Sequence, residues 1–513
     1  MGIVIDKLTY YLTSLLNKIP NYYVGSFIMS FIIYLIDMVM LSTEKRDFKK
    51  YNVNDTIDTI NDNLPMYYWI SLCKTRKDFE DFKTPYLKFW PNFNKSKQYP
   101  DVDHVVDVLF KCDPDKRRLN KSKPNLFFAW FANYWINMFL HTTYKGGTGD
   151  NVPYNVNFLF GRPIYGASLE EERVIRSFKN GFVRMNVDNT PLKLSDLTDD
   201  EKKHVYMENP KDQNIFISGL DKGNLSVGHY VMQTLFNRNH NRLCKKIIEI
   251  NNILTDEQIY QLAKTINIYQ GLKIVLGPYI TAISGNVLNV KRDYYTKVQF
   301  NHERVLATWE YNALYQWHNM LPEKIGDDTI QDMMYQPETF YKKNIGEWLR
   351  DGLTIGLYEQ RLNNALPFLL PVEKQALLAS RRANLLSYCD YRRNLKLSVP
   401  KTFLELTGGD ETMAENLQNV YTTVEDVEFY VGMWAEPIID NKFFGWTFSK
   451  LASIVALNSV TLIMQNLRQY ITQVDSNLLV LVDDFEYLQE FVLDNLEPCE
   501  RNTLGNLKLN FVC

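Results

Sequence analysis

The segment FFGWTFSKLASIVALNSVTLIMQNLRQYI, from Phe443 to Ile471, is apolar on nearly every side of a helix. A helix without a polar stripe belongs in an interior, with other elements packed around it. That requires a large helical body. Much of the chain reads the same way. In TDEQIYQLAKTINIYQGLKIVLGP, Thr255 and Gln258 stand in capping-box spacing. Ile259, Leu262, Ala263, Ile266 and Tyr269 then share one helical face, and Gly277-Pro278 ends the element. ERVLATWEYNALYQWHNMLP (Glu303–Pro322) reads as a helix that stops at its proline, and FFAWFANYWINMFLHTT (Phe127–Thr143) as an aromatic-rich buried one. There is no internal repeat and no βαβ alternation, so the expected fold class is all-α.

Composition narrows the function classes. The chain has 513 residues, 45% hydrophobic and 23% charged, which supplies ample core. A net charge of -3 argues against nucleic acid as a partner. The six cysteines are scattered and form no CxxC pair, so a zinc site is not expected and reduced thiols in an intracellular protein are. DKRRLNKSK (Asp115–Lys123) reads as a solvated basic loop. YKGGTGDNVP lacks the GK[ST] of a phosphate cradle and reads as a plain loop.

The N-terminus points to a membrane. YYVGSFIMSFIIYLIDMVML, from Tyr22 to Leu41, carries Asp37 as its only charge and is long enough to cross a bilayer core. Two readings stand: a single-pass helix, or a monotopic helix lying in one leaflet. Residues 1–75 are therefore expected to form a membrane-associating segment, and residues 76–513 the main domain. The expected setting is an intracellular membrane.

Chemistry concentrates in ALYQWHNMLP. On a helix, Tyr315 and His318 are three residues apart and share a face. A neutral imidazole is a common axial ligand of haem iron, and a tyrosine one turn away is placed to be oxidised by that haem. The segment resembles the haem-ligand helix of the cyclooxygenases (prostaglandin endoperoxide synthases) of the animal haem-peroxidase superfamily. In them, a leucine precedes a Tyr-x-Trp-His run followed by Leu-Pro. Four other stretches are similar, in the same order: FAWFANYWINMFLHT to the distal helix, and MQTLFNRNHNRLC with its successors through YITAISG to the Arg-Glu-His-Asn helix. SRRANLLSYCDYRRNLKLSVPKTFLEL and VEDVEFYVGMWAE complete the set. The resemblance runs from about Phe127 to Leu457. Plant fatty-acid α-dioxygenases share several of these motifs.

The resemblance implies a haem-peroxidase fold, haem b as cofactor, and a long-chain fatty acid and O2 as substrates. It implies His318 as the proximal ligand of the iron and Tyr315 as the hydrogen-abstracting radical. Tyr430 falls on the proximal side, and Tyr279, Asn286 and Ala456 in the substrate channel.

The departures matter as much. The distal glutamine and histidine of the family are here Asn133 and Asn137, and asparagine cannot shuttle a proton near neutral pH. His141 lies one helical turn beyond. The family's glutamate before His240 is Asn239, the channel serine is Ala456, and the channel-mouth tyrosine and carboxylate are Asn286 and Lys450; Arg46 and nearby lysines are the candidates for the mouth arginine. Two functions remain open: a membrane-associated haem-dependent fatty-acid dioxygenase with impaired peroxidase activity, or a catalytically degenerate subunit of a membrane complex. An ordinary peroxidase is disfavoured by Asn137.

Overall fold

The computed structural model describes residues 84–85, 98–137, 140–143, 152–155, 161–166, 169–205, 212–220, 222–283, 309–485 and 487–513. Tyr22–Leu41, Arg46 and Asn286 lie outside them, as do all of residues 1–75. Among the described residues, no helix is long and apolar enough to cross a membrane.

The body is mainly helical. Its principal helices are α1 (Val102–Leu109), α2 (Leu126–Ile136), α3 (Val227–Ile250), α4 (Asp256–Ile274) and α5 (Trp309–Leu314). They are followed by α6 (Leu370–Arg382), α7 (Tyr388–Asn394), α8 (Phe429–Ala435) and α9 (Trp446–Val474). The all-α expectation needs one correction. A three-stranded antiparallel sheet joins β1 (Thr84–Pro85), β2 (Leu140–Thr143) and β3 (Val152–Asn155) in the order β1-β3-β2. Lys324–Ile325 and Asp328–Thr329 form a small hairpin.

Local chemistry explains where the helices start. Asn125 accepts a hydrogen bond from the Phe128 amide at 3.1 Å and opens α2. Thr255 and Gln258 close the expected capping box on α4. Two expected ends moved. The Phe127–Thr143 helix stops at Asn137, and the chain turns into β2, so His141 pairs with Tyr154 of β3 rather than extending a helix. Pro278 does not end α4 but sits inside a π-turn, Val275–Tyr279, which leads into Ile280–Ile283. The wider turn accommodates a residue that has no N–H to give.

The core is a close fit between α2 and its neighbours. Ten of the eleven α2 residues are buried. Trp130 is wedged between Gly228 and Gly352, where an added Cβ would lie 2.3 Å and 2.6 Å from the indole ring. No larger residue fits at either place without moving Trp130. α3 and α4 pack on each other through a buried amide network: Asn239 Nδ2 donates to Asn267 Oδ1 and to Gln270 Oε1, both at 2.8 Å. Helix α9, anticipated as an interior element, buries Phe448, Leu451, Ala452, Met464, Leu467 and Ile471.

A buried carboxylate ties α7, the end of α8 and the start of α9 together. Glu436 accepts from Arg392 Nη1 at 2.7 Å, Tyr388 at 2.7 Å, and both the amide and hydroxyl of Thr447 at 2.8 Å. Because the pair is almost fully buried, removing one partner strands a charge. Glu436→Ala should therefore destabilise the protein by about 3–5 kcal/mol. A urea unfolding midpoint indistinguishable from wild type would contradict this.

Candidate haem-ligand site

The segment from Tyr315 to Leu321 is not a helix. α5 ends at Leu314, Tyr315 lies in a turn, and His318–Met320 form a short 3₁₀ turn. The expectation of one helical face shared by Tyr315 and His318 is thus corrected, and the cause is visible. Backbone carbonyls that a helix would use internally are taken by side chains instead. Trp317 Nε1 donates to the Leu314 carbonyl at 2.6 Å, and Gln360 Nε2 to that of Gln316 at 3.0 Å. Arg117 Nη2 donates to Asn319 and Leu321 carbonyls at 2.7 and 2.9 Å. Arg117 itself is buried at 9% exposure, so the basic run around it is not simply a solvated loop. Sequence reasoning missed this clamp, because nothing local distinguishes Arg117 from exposed Lys116 beside it.

His318 Nδ1 lies 3.0 Å from Glu373 Oε1, and the Tyr430 hydroxyl donates to Glu373 Oε2 at 2.7 Å. Glu373, in the first turn of α6, is completely buried, whereas the His318 side chain keeps 20% of its surface. Among the described residues, the imidazole is hydrogen-bonded through Nδ1 only, which leaves the Nε2 lone pair for a ligand. The other histidines with described side chains differ. His229 and His240 are buried, and burial pushes their pKa values down to about 4 and about 3. His240 is also held between the Tyr165 hydroxyl and the Gly181 carbonyl. His104 and His204 are exposed. An imidazole fixed by a carboxylate with its other nitrogen available has the donor chemistry of a haem axial ligand, so haem fits this site.

Tyr315 is at the centre of an aromatic cluster. Its ring lies 4.8 Å from Tyr311, 5.0 Å from Trp317 and 6.4 Å from Phe448. Phe128 of α2 stacks on Trp317 at 5.4 Å and on Tyr279 at 5.2 Å, tying the helix that carries Asn133 and Asn137 to the His318 segment. Burial pushes the Tyr315 phenol above its ordinary pKa, opposed by Tyr311 and then Tyr279. The Tyr279 hydroxyl makes no well-aligned hydrogen bond, so its influence is that of a nearby phenol rather than of a formed bond. Tyr315 remains partly accessible although its hydroxyl is enclosed.

Asn133 is the single α2 residue that is not buried. Asn137 caps α2, and its side-chain amide donates to the Asn133 carbonyl at 2.6 Å and to Asn133 Oδ1 at 3.3 Å. Ala456 is carried on α9, the helix whose Phe448 touches Tyr315; Lys450, on the same helix, is half-buried. The site residue that sequence reasoning passed over is Glu373. A glutamate in the first turn of a helix is commonplace, and only the fold brings His318 and Tyr430 to it.

Fold and site together define a class. Residues 141–456 match the animal haem peroxidases, and the chain belongs to that family. Within it, the chain is similar to prostaglandin G/H synthase 2 of Bos taurus, at 28% identity over 378 residues, covering 71% of this chain and 61% of that protein. It is also similar to prostaglandin G/H synthase 1 of Rattus norvegicus, at 27% over 378 residues with the same coverage. The chain thus spans about three fifths of the length of these relatives. Among solved structures, the fold is that of the fatty acid alpha-dioxygenase of Arabidopsis thaliana (TM-score 0.67, 16% identity, 81% of this chain and 77% of that one). Peroxidase A of Dictyostelium discoideum shares it as well (TM-score 0.65, 16% identity, 84% and 95%).

Proposed function

We propose that the protein is a membrane-associated, haem-dependent fatty-acid dioxygenase of cyclooxygenase-like type with weak peroxidase activity. The single observation that carries this reading is the juxtaposition of two groups within one short segment: His318, fixed through Nδ1 by Glu373, and Tyr315, partly accessible within an aromatic cluster three residues away.

Haem b on His318 Nε2 would supply the one-electron oxidant. The chain's own residues do the rest. Burial keeps the Tyr315 phenol protonated at neutral pH, so its O–H bond is present before oxidation. Tyr311, Trp317 and Phe448 hold the ring in place and exclude water around it. Once oxidised, with loss of its proton, Tyr315 re-forms the O–H bond with a hydrogen atom from a fatty-acid carbon. The carbon radical left behind adds O2, and the peroxyl radical so formed takes the hydrogen atom back from the Tyr315 O–H, giving the hydroperoxide and restoring the oxidised tyrosine. Tyr279, Asn286 and Ala456 are proposed to line the substrate's path. Tyr22–Leu41 is proposed to associate with membrane lipid.

On the side expected to handle hydroperoxide, Asn137 spends its amide on the end of its own helix. It has no titrating group to move a proton, and a positioned general acid–base typically contributes ~10²–10⁴-fold. The haem-loaded protein should therefore consume O2 with a polyunsaturated fatty acid yet reduce hydroperoxides slowly, and Asn137→His should raise the latter rate. Brisk hydroperoxide reduction by the wild type would refute the assignment of Asn137. The same amide arrangement favours the second reading, a degenerate subunit of a membrane complex. Haem-loaded protein that takes up no O2 with any fatty acid would establish that alternative.

A further inference from the structure

We propose that Glu373 is the positioning residue of the haem ligand: its carboxylate, shared between His318 Nδ1 and the Tyr430 hydroxyl, sets the imidazole's tautomer and gives its Nε2 the basicity of a partial imidazolate. The inference rests on the reading of His318 as the axial ligand.

The carboxylate's surroundings combine two kinds of partner. Several other buried glutamates face full cations: Glu428 faces Arg381 at 2.7 Å, Glu436 faces Arg392 at 2.7 Å, Glu500 faces Arg238 at 2.6 Å and Glu172 faces Lys264 at 2.9 Å, while buried Glu310 accepts from the Tyr391 hydroxyl at 2.7 Å. Glu373 is fully buried, and its hydrogen-bond partners are an imidazole and a phenol. Its neighbour Lys374 points to Asp103 instead. Burial, then the charge of Glu373, holds the Tyr430 phenol well above its usual pKa, so Tyr430 stays a neutral donor. The first turn of α6 offers the partial positive charge of a helix N-terminus, which is less than a full counter-charge. A buried carboxylate without a full counter-charge is costly. A metal cation bound to the far nitrogen of His318 would neutralise it through the imidazole.

The two bonds act in opposite directions. The Nδ1–H···O bond pulls the proton toward Glu373 and enriches Nε2 in electron density, which favours the ferric over the ferrous state of a bound iron. The Tyr430 hydroxyl draws density out of the same carboxylate and moderates that push.

Full-length protein loaded with haem tests this through its ferric/ferrous midpoint potential and, in the ferrous form, its iron–histidine stretching frequency. Glu373→Gln retains an acceptor for Nδ1 and removes the charge, so the potential should rise and the stretch should fall. Glu373→Asp should recover part of both shifts. Tyr430→Phe should lower the potential, a change of opposite sign that mere loosening of the site does not produce. Glu373→Gln protein with stoichiometric haem and an unchanged potential and stretch overturns the inference and leaves His318 as ligand. Should Glu373→Gln fail to hold haem, Tyr430→Phe decides, and an unchanged or raised potential in it overturns the inference. Failure of the ligand reading is recognised separately, by His318→Ala protein that binds haem as wild type does.

Discussion

Tyr315→Phe is expected to abolish the proposed oxygen uptake with polyunsaturated fatty acids while leaving haem binding and stability close to wild type. The substitution removes one oxygen from a ring that packs against Tyr311, Trp317 and Phe448, and those stacked and edge contacts survive it. The hydroxyl lost is the one that Tyr311 and Tyr279 surround. Deleting both halves of a hydrogen-bonded contact is nearly neutral, whereas stranding one buried donor costs about 1–3 kcal/mol, so the fold pays at most that much. Chemistry has no such margin, because a phenylalanine has no O–H bond to exchange with substrate carbon. The expected loss is complete within the sensitivity of an oxygen electrode. Neither neighbouring phenol takes over: Tyr311 and Tyr279 are buried where Tyr315 is partly accessible, and Tyr279 sits between Phe128, Phe131 and Phe511. Oxygenation that survives in Tyr315→Phe would move the chemistry to another residue.

What could be read from the sequence follows a physical boundary. Interactions within a few residues were legible: the Thr255–Gln258 capping box, the α3 and α4 helices, and the all-round apolar character of α9. The family was legible too, because the Tyr-x-Trp-His run survives intact. Features decided by residues far apart in the chain were not. The break after Leu314 depends on Arg117 and Gln360, which reach the carbonyls of 316–321 from other segments. The helical pattern of Glu303–Pro322 runs straight through that break, since periodicity records which face is buried and not which carbonyls find other donors. The strand at Leu140–Thr143 exists because Val152–Asn155 pairs with it, and the apolar run before it reads as helix with nothing local to mark the change. Glu373 is the clearest case. Nothing within its own helix marks it, and its meaning comes from two residues 55 and 57 positions away.

His318→Ala should abolish stoichiometric haem binding. An alanine leaves Glu373 and Tyr430 hydrogen-bonded to each other but removes the imidazole that presents a free nitrogen. Among the histidines with described side chains none replaces it: His229 and His240 are buried away from solvent and committed to backbone carbonyls, and His104 and His204 are exposed. The fully buried Glu373 carboxylate loses one partner, which costs about 1–3 kcal/mol, so both proteins are compared in their folded state. The direct measurement is a titration of the full-length protein with haemin, followed by the Soret band, in wild type and His318→Ala side by side. One haem per chain in the wild type, with no saturable band in the variant, is the expected result. A variant that binds haem with the stoichiometry and spectrum of the wild type would contradict the assignment of His318.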